Sequence, residues 1–222
     1  VDRSGIARDR KFIPAAPGLW LYNVLVAASR RELRWRGLLS KQIAVCHGDV
    51  IADVGCGSAA QLKRMAKIAP TATLIGIDPD LDVLQHARRK VASTRATVEL
   101  KIGFARDTAL LLKDRRVNKI ISSLVFHRVS LAEKRAGLTS MLQALVPGGE
   151  LHIADYGLQR TPLMRRLFRI VQSARGFENS EQNAQGILPE LMREVGFDDV
   201  RETAFIRTPT GSMSIYYARR RR

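Results

Sequence analysis

The sequence predicts an α/β protein, a doubly wound and mostly parallel sheet with helices on both faces. Three observations carry that expectation. Strand-like segments recur, apolar at 50–52 and 72–77, alternating at 96–102, and again at 117–124 and 150–154, and segments of helical periodicity separate them. The stretch 50–78, VIADVGCGSAAQLKRMAKIAPTATLIGID, places a strand, a glycine turn, a helix, a second strand and a terminal carboxylate in one βαβ unit.

Each part of that unit has a physical task. Val50-Ile51-Ala52 is short enough to be a buried strand, and the turn 53–59 leads into a helix whose inner face carries Leu62, Met65, Ala66 and Ala69 before Pro70 closes it. Glycines at 55 and 57 let backbone approach a ligand where a side chain would collide, and the following helix presents unpaired N–H groups there. Asp78 arrives about 20 residues on, where a carboxylate accepts both ribose hydroxyl protons. Gly55, Gly57 and Ala60 formally satisfy a dinucleotide fingerprint, so the glycines alone do not choose a ligand. Asp53 discriminates: it would repel a pyrophosphate and attract an ammonium or sulfonium group.

The remaining elements follow in order. Residues 1–17, polar with Pro14 and Pro17, read as an irregular arm. Residues 18–45 carry Leu21, Leu25, Ala28, Leu33, Leu38 and Leu39 at helical spacing, so two helices are expected to cover one edge of the cleft. The division expected is an arm and helical cap over 1–48 and a core over 49–222, one domain overall. A helix over 81–91 puts Leu81, Leu84 and Val91 inward and Arg88, Arg89 and Lys90 outward. The strand 96–102 runs into Gly103-Phe104-Ala105, and the strand 117–124 into Val125-Phe126-His127-Arg128.

Ser130 and Glu133 spell a capping box, ahead of a buried stripe of Leu131, Leu138, Met141, Leu142 and Leu145. Pro147-Gly148-Gly149 reads as the turn into the strand 150–154, which ends in Asp155-Tyr156. An arginine-rich amphipathic helix follows over 161–174, then a polar stretch, 177–185, with the composition of a lid loop. Leu188, Leu191, Met192 and Val195 mark a last helix stopped by Gly196. Runs at 197–207 and 212–218, joined through Pro209 and Gly211, form the antiparallel end of a seven-stranded sheet. Asp53, Asp78, Phe104, His127 and Asp155 each follow an expected strand, so they should converge on one cleft.

Composition narrows the classes. A chain of 222 residues with 45% hydrophobic content buries a core without staples. No apolar run reaches the roughly 18 residues of a membrane span and no signal-peptide pattern opens the chain. Cys46 and Cys56 make no disulfide framework, so a reducing, cytoplasmic setting is expected. Thirty-seven Lys and Arg against 21 Asp and Glu give a net charge of +16, concentrated at 30–36, 165–169 and 219–222. The final arginine run reads as a solvated tail, and the excess attracts polyanions whatever the function. No His/Cys cluster has metal-ligand spacing, so no metal is expected, and neither a phosphate-binding P-loop nor a serine nucleophile elbow is present. His47, His86 and His152 fall where no chemistry is assigned.

D-x-G-x-G followed by G-x-D resembles the class I S-adenosylmethionine-dependent methyltransferases, as do GIDPD, SLVFH and LVPGGELHIAD. The likeness is to the small-molecule group that includes ubiquinone/menaquinone-type enzymes, with looser matches at Tyr22-Asn23 and Trp35-Arg36. It implies a Rossmann-like, seven-stranded sheet with an antiparallel last strand and an N-terminal helical cover. It also implies S-adenosylmethionine as cofactor, held by Tyr22, Asp53, Gly55, Cys56, Gly57, Ser58, Asp78, Pro79, Phe104, Ala105 and Ser123. Tyr22 and Trp35 equally read as anchors of helices on the core.

Phe104 departs from the family, which usually carries an Asp there for the adenine amino group. Either the ring packs on adenine and the amino group finds backbone or Asp107, or adenine recognition is weakened. His127 is the candidate general base if a proton must leave the acceptor, with Asp155 and Tyr156 as second choices. A small-molecule acceptor is the expected partner, no specific nucleic acid is expected, and assembly as a homodimer is left open. Three rivals remain: an RNA or other nucleic-acid methyltransferase, motivated by the charge; a non-catalytic cofactor-binding protein, motivated by Phe104, Ala59 and a histidine pair reduced to His127; and a nicotinamide-dependent oxidoreductase, which Asp53 disfavours. The strand-four motif SSLVFHR lacks the N/D-P-P-Y/F signature of amino-methylating nucleic-acid enzymes.

Overall fold

Alternation along the strands sorts apolar side chains into two cores, one on each side of the sheet. On β1 (Val50–Val54) Ile51 turns to one side, and Ala52 and Val54 to the other. Leu74 and Ile75 divide in the same way on β2 (Thr73–Asp78), as do Ile121 and Ile120 on β4 (Val117–Ser123). These strands are apolar on both faces because both faces are covered by helices. The protein is described by a computed structural model over residues 30–175 and 177–222. The expected arm, the first of the two N-terminal helices and Tyr22 lie outside the described residues.

The sheet order is β3-β2-β1-β4-β5-β7-β6, with β3 spanning Thr97–Ile102, β5 Leu145–Tyr156, β6 Asp198–Thr208 and β7 Gly211–Arg219. Strands β1 to β5 pair in parallel, and β7 runs antiparallel to both β5 and β6. This is the doubly wound sheet with an antiparallel last strand that the sequence predicts. One core contains Trp35, Leu39 and Ile43 of α1 (Arg30–Ile43), Leu62 and Met65 of α2 (Ala60–Ile68), and Leu84 of α3 (Leu81–Val91). Phe168 and Val171 of α6 (Pro162–Arg175) join it. The other core is built on Leu112 at the end of α4 (Thr108–Leu111), Leu138 and Met141 of α5 (Leu131–Ala144) and Leu188, Leu191 and Met192 of α8 (Leu188–Glu194). Each large side chain so enclosed stabilises the fold by roughly 1.5–3 kcal/mol.

Several local expectations are corrected. Leu81 is exposed, because Asp80 caps the helix by accepting from the amides of Asp82 and Val83 and sets Leu81 on the outer side of the first turn. Ser130 caps α5 by accepting from Glu133 N at 3.3 Å, while the Glu133 carboxylate is held by Arg106 at 2.7 Å. Pro147-Gly148-Gly149 is a bulge inside β5: Leu145 pairs with Val117 and Glu150 with Lys119, so four residues face Asn118 alone. Residues 177–185 are not a loop; Phe177–Ala184 is a helix, α7, whose polar side chains are used in tertiary hydrogen bonds. Arg220 is not solvated tail, since its guanidinium donates to the carbonyls of Leu142, Gln143 and Leu145 and closes the open end of α5.

Candidate active site at the carboxyl edge of the sheet

Parallel register brings the singled-out residues to one edge. Val54 is level with Ile77 of β2 and Ser122 of β4, Ser123 with Ala154 of β5, and Asp78 with Ile102 of β3. Gly55, Asp78, Phe104, His127 and Asp155 end or follow these levels, which is the edge where ligands of such sheets bind.

The glycine turn is held to β2 by its backbone: Gly55 N and Cys56 N both donate to Ile77 O, at 2.8 and 3.0 Å. Gly55 has φ +76°, and a Cβ there would lie 2.1 Å from Val125 Cγ2, so the β4 loop packs where a side chain would stand. Gly57 also needs left-handed backbone, at φ +52°, but a Cβ there would meet nothing within 4 Å. That gap is open space at the mouth of the turn. Gly57 N donates to Asp78 Oδ2 at 2.9 Å, and Asp80 N, just past Pro79, donates to Oδ1 at 3.1 Å. Burial raises the Asp78 carboxyl, and these two amide bonds oppose the rise. Ser58 accepts from Lys90 Nζ at 3.0 Å, and Ala59, at φ +58°, starts α2 without a side-chain cap.

Asp53 is 2% exposed, and its Oδ1 accepts no hydrogen bond among the described residues. Burial pushes its pKa up to about 7; Arg36 opposes the rise and Asp78 adds to it. Cys56 is buried beside this pair, and burial, with Asp53 and Asp78 adding, pushes its thiol well above the usual range. It is a small space-filler rather than a nucleophile. At the end of β3, Phe104 is 37% exposed with the Arg106 guanidinium 4.5 Å above its ring. Its amide donates to Asp107 Oδ2 at 2.9 Å, and Ala105 packs behind it against Gly137. Trp35 is a core anchor at 1% exposed, capped by Arg36 at 4.4 Å.

At the end of β4, Ser122 Oγ donates to Val54 O at 2.8 Å, while Ser123 Oγ is buried with no hydrogen bond among the described residues. Leu124 takes φ +60° while its amide still donates to Ala154 O, which turns the chain out of the sheet and into a 3₁₀ turn, Phe126–Arg128. That turn sets His127 Nδ1 2.7 Å from Asp155 Oδ1. Asp155 also accepts from Phe126 N through Oδ2 and from Tyr156 N through Oδ1, each at 2.7 Å. With both oxygens accepting, the carboxylate receives Nδ1–H and leaves Nε2 as the lone-pair nitrogen.

Asp155 therefore stands behind the imidazole, fully buried, rather than beside it in the cleft. Tyr156 is 1% exposed; its hydroxyl is 2.7 Å from Thr210 Oγ1, and its ring meets His127 edge-on at 5.0 Å. His127 itself is fully enclosed.

Sequence reasoning missed a latch beneath this turn. Lys134 is fully buried and donates to Val129 O at 2.6 Å and Asn179 O at 2.7 Å. Asn179 Nδ2 donates to Arg128 O, and Asn183 Nδ2 to Tyr156 O at 3.0 Å, so α7 is bound to the histidine turn and to the end of β5. Burial pushes Lys134 down to about 8. Its signal was present in the sequence, since 131, 134, 138, 141 and 145 form one helical stripe with a single charged member. Among the described residues no group of three His, Cys, Asp or Glu side chains is placed to hold a metal, and no helix is long and apolar enough to cross a membrane.

Comparison with known proteins agrees with this geometry. Residues 51–149 match a family described as a methyltransferase domain. The chain is 25% identical over 203 residues to the ubiquinone/menaquinone biosynthesis C-methyltransferase of Geobacter sulfurreducens, covering 83% of this chain and 77% of that one. A crystal structure of a putative O-methyltransferase from Nostoc punctiforme superposes with a TM-score of 0.68 at 16% identity, over 91% of this chain and 60% of that one. Phosphoethanolamine N-methyltransferase 2 of Haemonchus contortus, solved with phosphomonomethylethanolamine and S-adenosylhomocysteine, superposes at 0.66 with 14% identity, over 85% and 53%. At such identities the structural likenesses speak for the fold.

Proposed function

We propose that this chain, which matches a methyltransferase-domain family over residues 51–149, is a class I S-adenosylmethionine-dependent methyltransferase that methylates a small-molecule acceptor, with His127 taking the proton where the acceptor must lose one. The observation that carries the cofactor reading is Asp53, a buried carboxylate oxygen without a partner beneath an open glycine turn. A buried carboxylate in that state is costly until a cation meets it. An ammonium or sulfonium group fits; a dinucleotide pyrophosphate does not.

The donor set fits the rest of the cofactor. Asp78, pre-aligned by Gly57 N and Asp80 N, has the remaining lone pairs for ribose hydroxyls. Gly57 leaves room for the ligand to lie against backbone, Ser123 offers an unused hydroxyl, and Phe104 presents an exposed ring to the adenine side. The cofactor, when bound, supplies an electrophilic methyl group on a sulfonium sulfur. The protein's own work is then to hold the acceptor in line and exclude water, and such positioning is worth about 7–11 kcal/mol. Asp155 fixes the tautomer in which His127 Nε2 receives a proton, so Asp155 is a positioning residue. Since His127 is enclosed, acceptor entry has to displace one of the elements over the imidazole.

Calorimetric titration of S-adenosylmethionine, S-adenosylhomocysteine and NAD, on wild type and Asp78→Ala, tests the reading. Adenosyl-ligand binding lost in the variant supports it; binding of NAD alone sinks it. An RNA acceptor is the second reading, favoured by the net charge of +16. Stoichiometric, salt-sensitive RNA binding that also supports methyl transfer would replace the small-molecule assignment.

A further inference from the structure

Many cations of this chain are matched by carboxylates: Arg36 by Glu32, Arg115 by Glu99, Arg135 by Glu194, Arg160 by Glu202 and Arg221 by Asp198. Others, Arg88, Arg166 and Arg169 among them, form no ion pair among the described residues, and one group of these is set apart by lining a shared concavity beside α2. Lys63, Arg64, Lys67, Lys90 and Arg95 form no ion pair among the described residues. Of these, Lys63, Lys67 and Arg95 line a cavity of about 270 Å³ together with Pro70, Ser93 and Thr94. A second depression, lined by Lys63, Arg64 and Lys67, opens beside it. Lys90, bonded to Ser58, extends the stripe toward the glycine turn.

Burial pushes Lys90 below the ordinary lysine range, the nearby Arg36 and Lys63 push it further, and Glu32 opposes them. Unpaired like charges around a cavity repel, and an anion settling among them relieves that repulsion. The lining also specifies which anion. It has two ammonium groups, a guanidinium fork and a serine hydroxyl, all donors suited to phosphoryl oxygens, and no carboxylate. No aromatic ring lines it, so there is nothing on which a nucleobase would stack. Its volume suits a compact ligand rather than a strand.

We propose that the groove between α2 and residues 93–95, which follow α3, is a binding site for a compact phosphate-bearing small molecule, held through its phosphoryl oxygens by Lys63, Lys67 and Arg95 and separate from the cofactor cleft. Occupancy would sit against α2, the helix that begins at the glycine turn, without using any residue of the cofactor site.

The test is calorimetric titration of the whole chain with tripolyphosphate, beside the double variants Lys67→Glu/Arg95→Glu and Arg166→Glu/Arg169→Glu. All four positions are exposed and the two variants change net charge equally. One-to-one binding, weakened about tenfold or more in the first variant and unchanged in the second, is expected for charge-assisted contacts at a defined site. Equal weakening by both variants, or no saturable binding by wild type, overturns the site as a mere effect of net charge. A short single-stranded RNA gives the remaining arm: RNA binding lost in the first variant, with none of tripolyphosphate, overturns the small-ligand assignment in favour of a nucleic-acid strand. S-adenosylhomocysteine titrated into the same samples reports the cofactor cleft separately, so failure of one site is distinguished from failure of the other.

Discussion

His127 Nδ1 lies 2.7 Å from Asp155 Oδ1, and both side chains are fully buried. Because Asp155 also receives the amides of Phe126 and Tyr156, it fixes the imidazole tautomer and the local backbone together. Asp155→Asn must turn an NH₂ toward one of three donors, which costs about 1–3 kcal/mol of stability. If His127 is the base, turnover on an acceptor that loses a proton should also fall by about 10²-fold or more. Denaturation and nitrogen-detected NMR of the imidazole measure the two effects separately, and an unchanged tautomer would refute the positioning role.

Asp53 makes stability depend on pH. Its carboxyl sits at about 7 in the fold against about 4 in an unfolded chain, so the native state keeps a proton that the unfolded state releases. Stability therefore falls as pH rises from about 4 to about 7, and levels off above. Asp53→Asn should remove that slope and, at pH 8, be more stable than wild type by on the order of 2 kcal/mol, while binding cofactor more weakly. In wild type, cofactor binding just below pH 7 should release a proton, seen as a buffer-dependent calorimetric enthalpy.

Gly55 and Gly57 should answer differently to alanine. Gly55→Ala forces a Cβ against Val125 on left-handed backbone and should cost about 2–4 kcal/mol. Gly57→Ala meets open space, so its cost is only the backbone conformation, about 1 kcal/mol, yet it fills the mouth of the turn. Thermal unfolding should rank Gly55→Ala as the greater loss, and adenosyl-ligand titration should show Gly57→Ala binding weakly although folded.

Lys134→Met removes both donors that join Val129 O and Asn179 O, and should loosen α7 by about 1–3 kcal/mol, read as faster hydrogen exchange in Phe177–Ala184. The folded lysine sits at about 8, below an unfolded lysine, so between about 8 and 10 the unfolded chain binds more protons. Wild-type stability should gain with pH over that interval relative to the methionine variant. The same exchange rates in both proteins would rule out the latch.

What the sequence by itself determined was whatever spacing encodes. Short apolar runs at 50–52 and 72–77, helical stripes at 62–66 and 188–192, and the placing of Asp53, Asp78 and His127 just after strand segments are all local patterns, and each reappears in the fold. Tertiary structure decided which polar groups meet. The contact of His127 with Asp155 joins residues 28 apart, that of Lys134 with Asn179 joins residues 45 apart, and that of Arg220 with Leu142 joins residues 78 apart. Composition read 177–185 as loop because its residues are polar, and it could not show that Asn179 and Asn183 have partners waiting. A polar side chain carries the same letter whether water or a distant carbonyl satisfies it, and only the folded chain brings that carbonyl into reach.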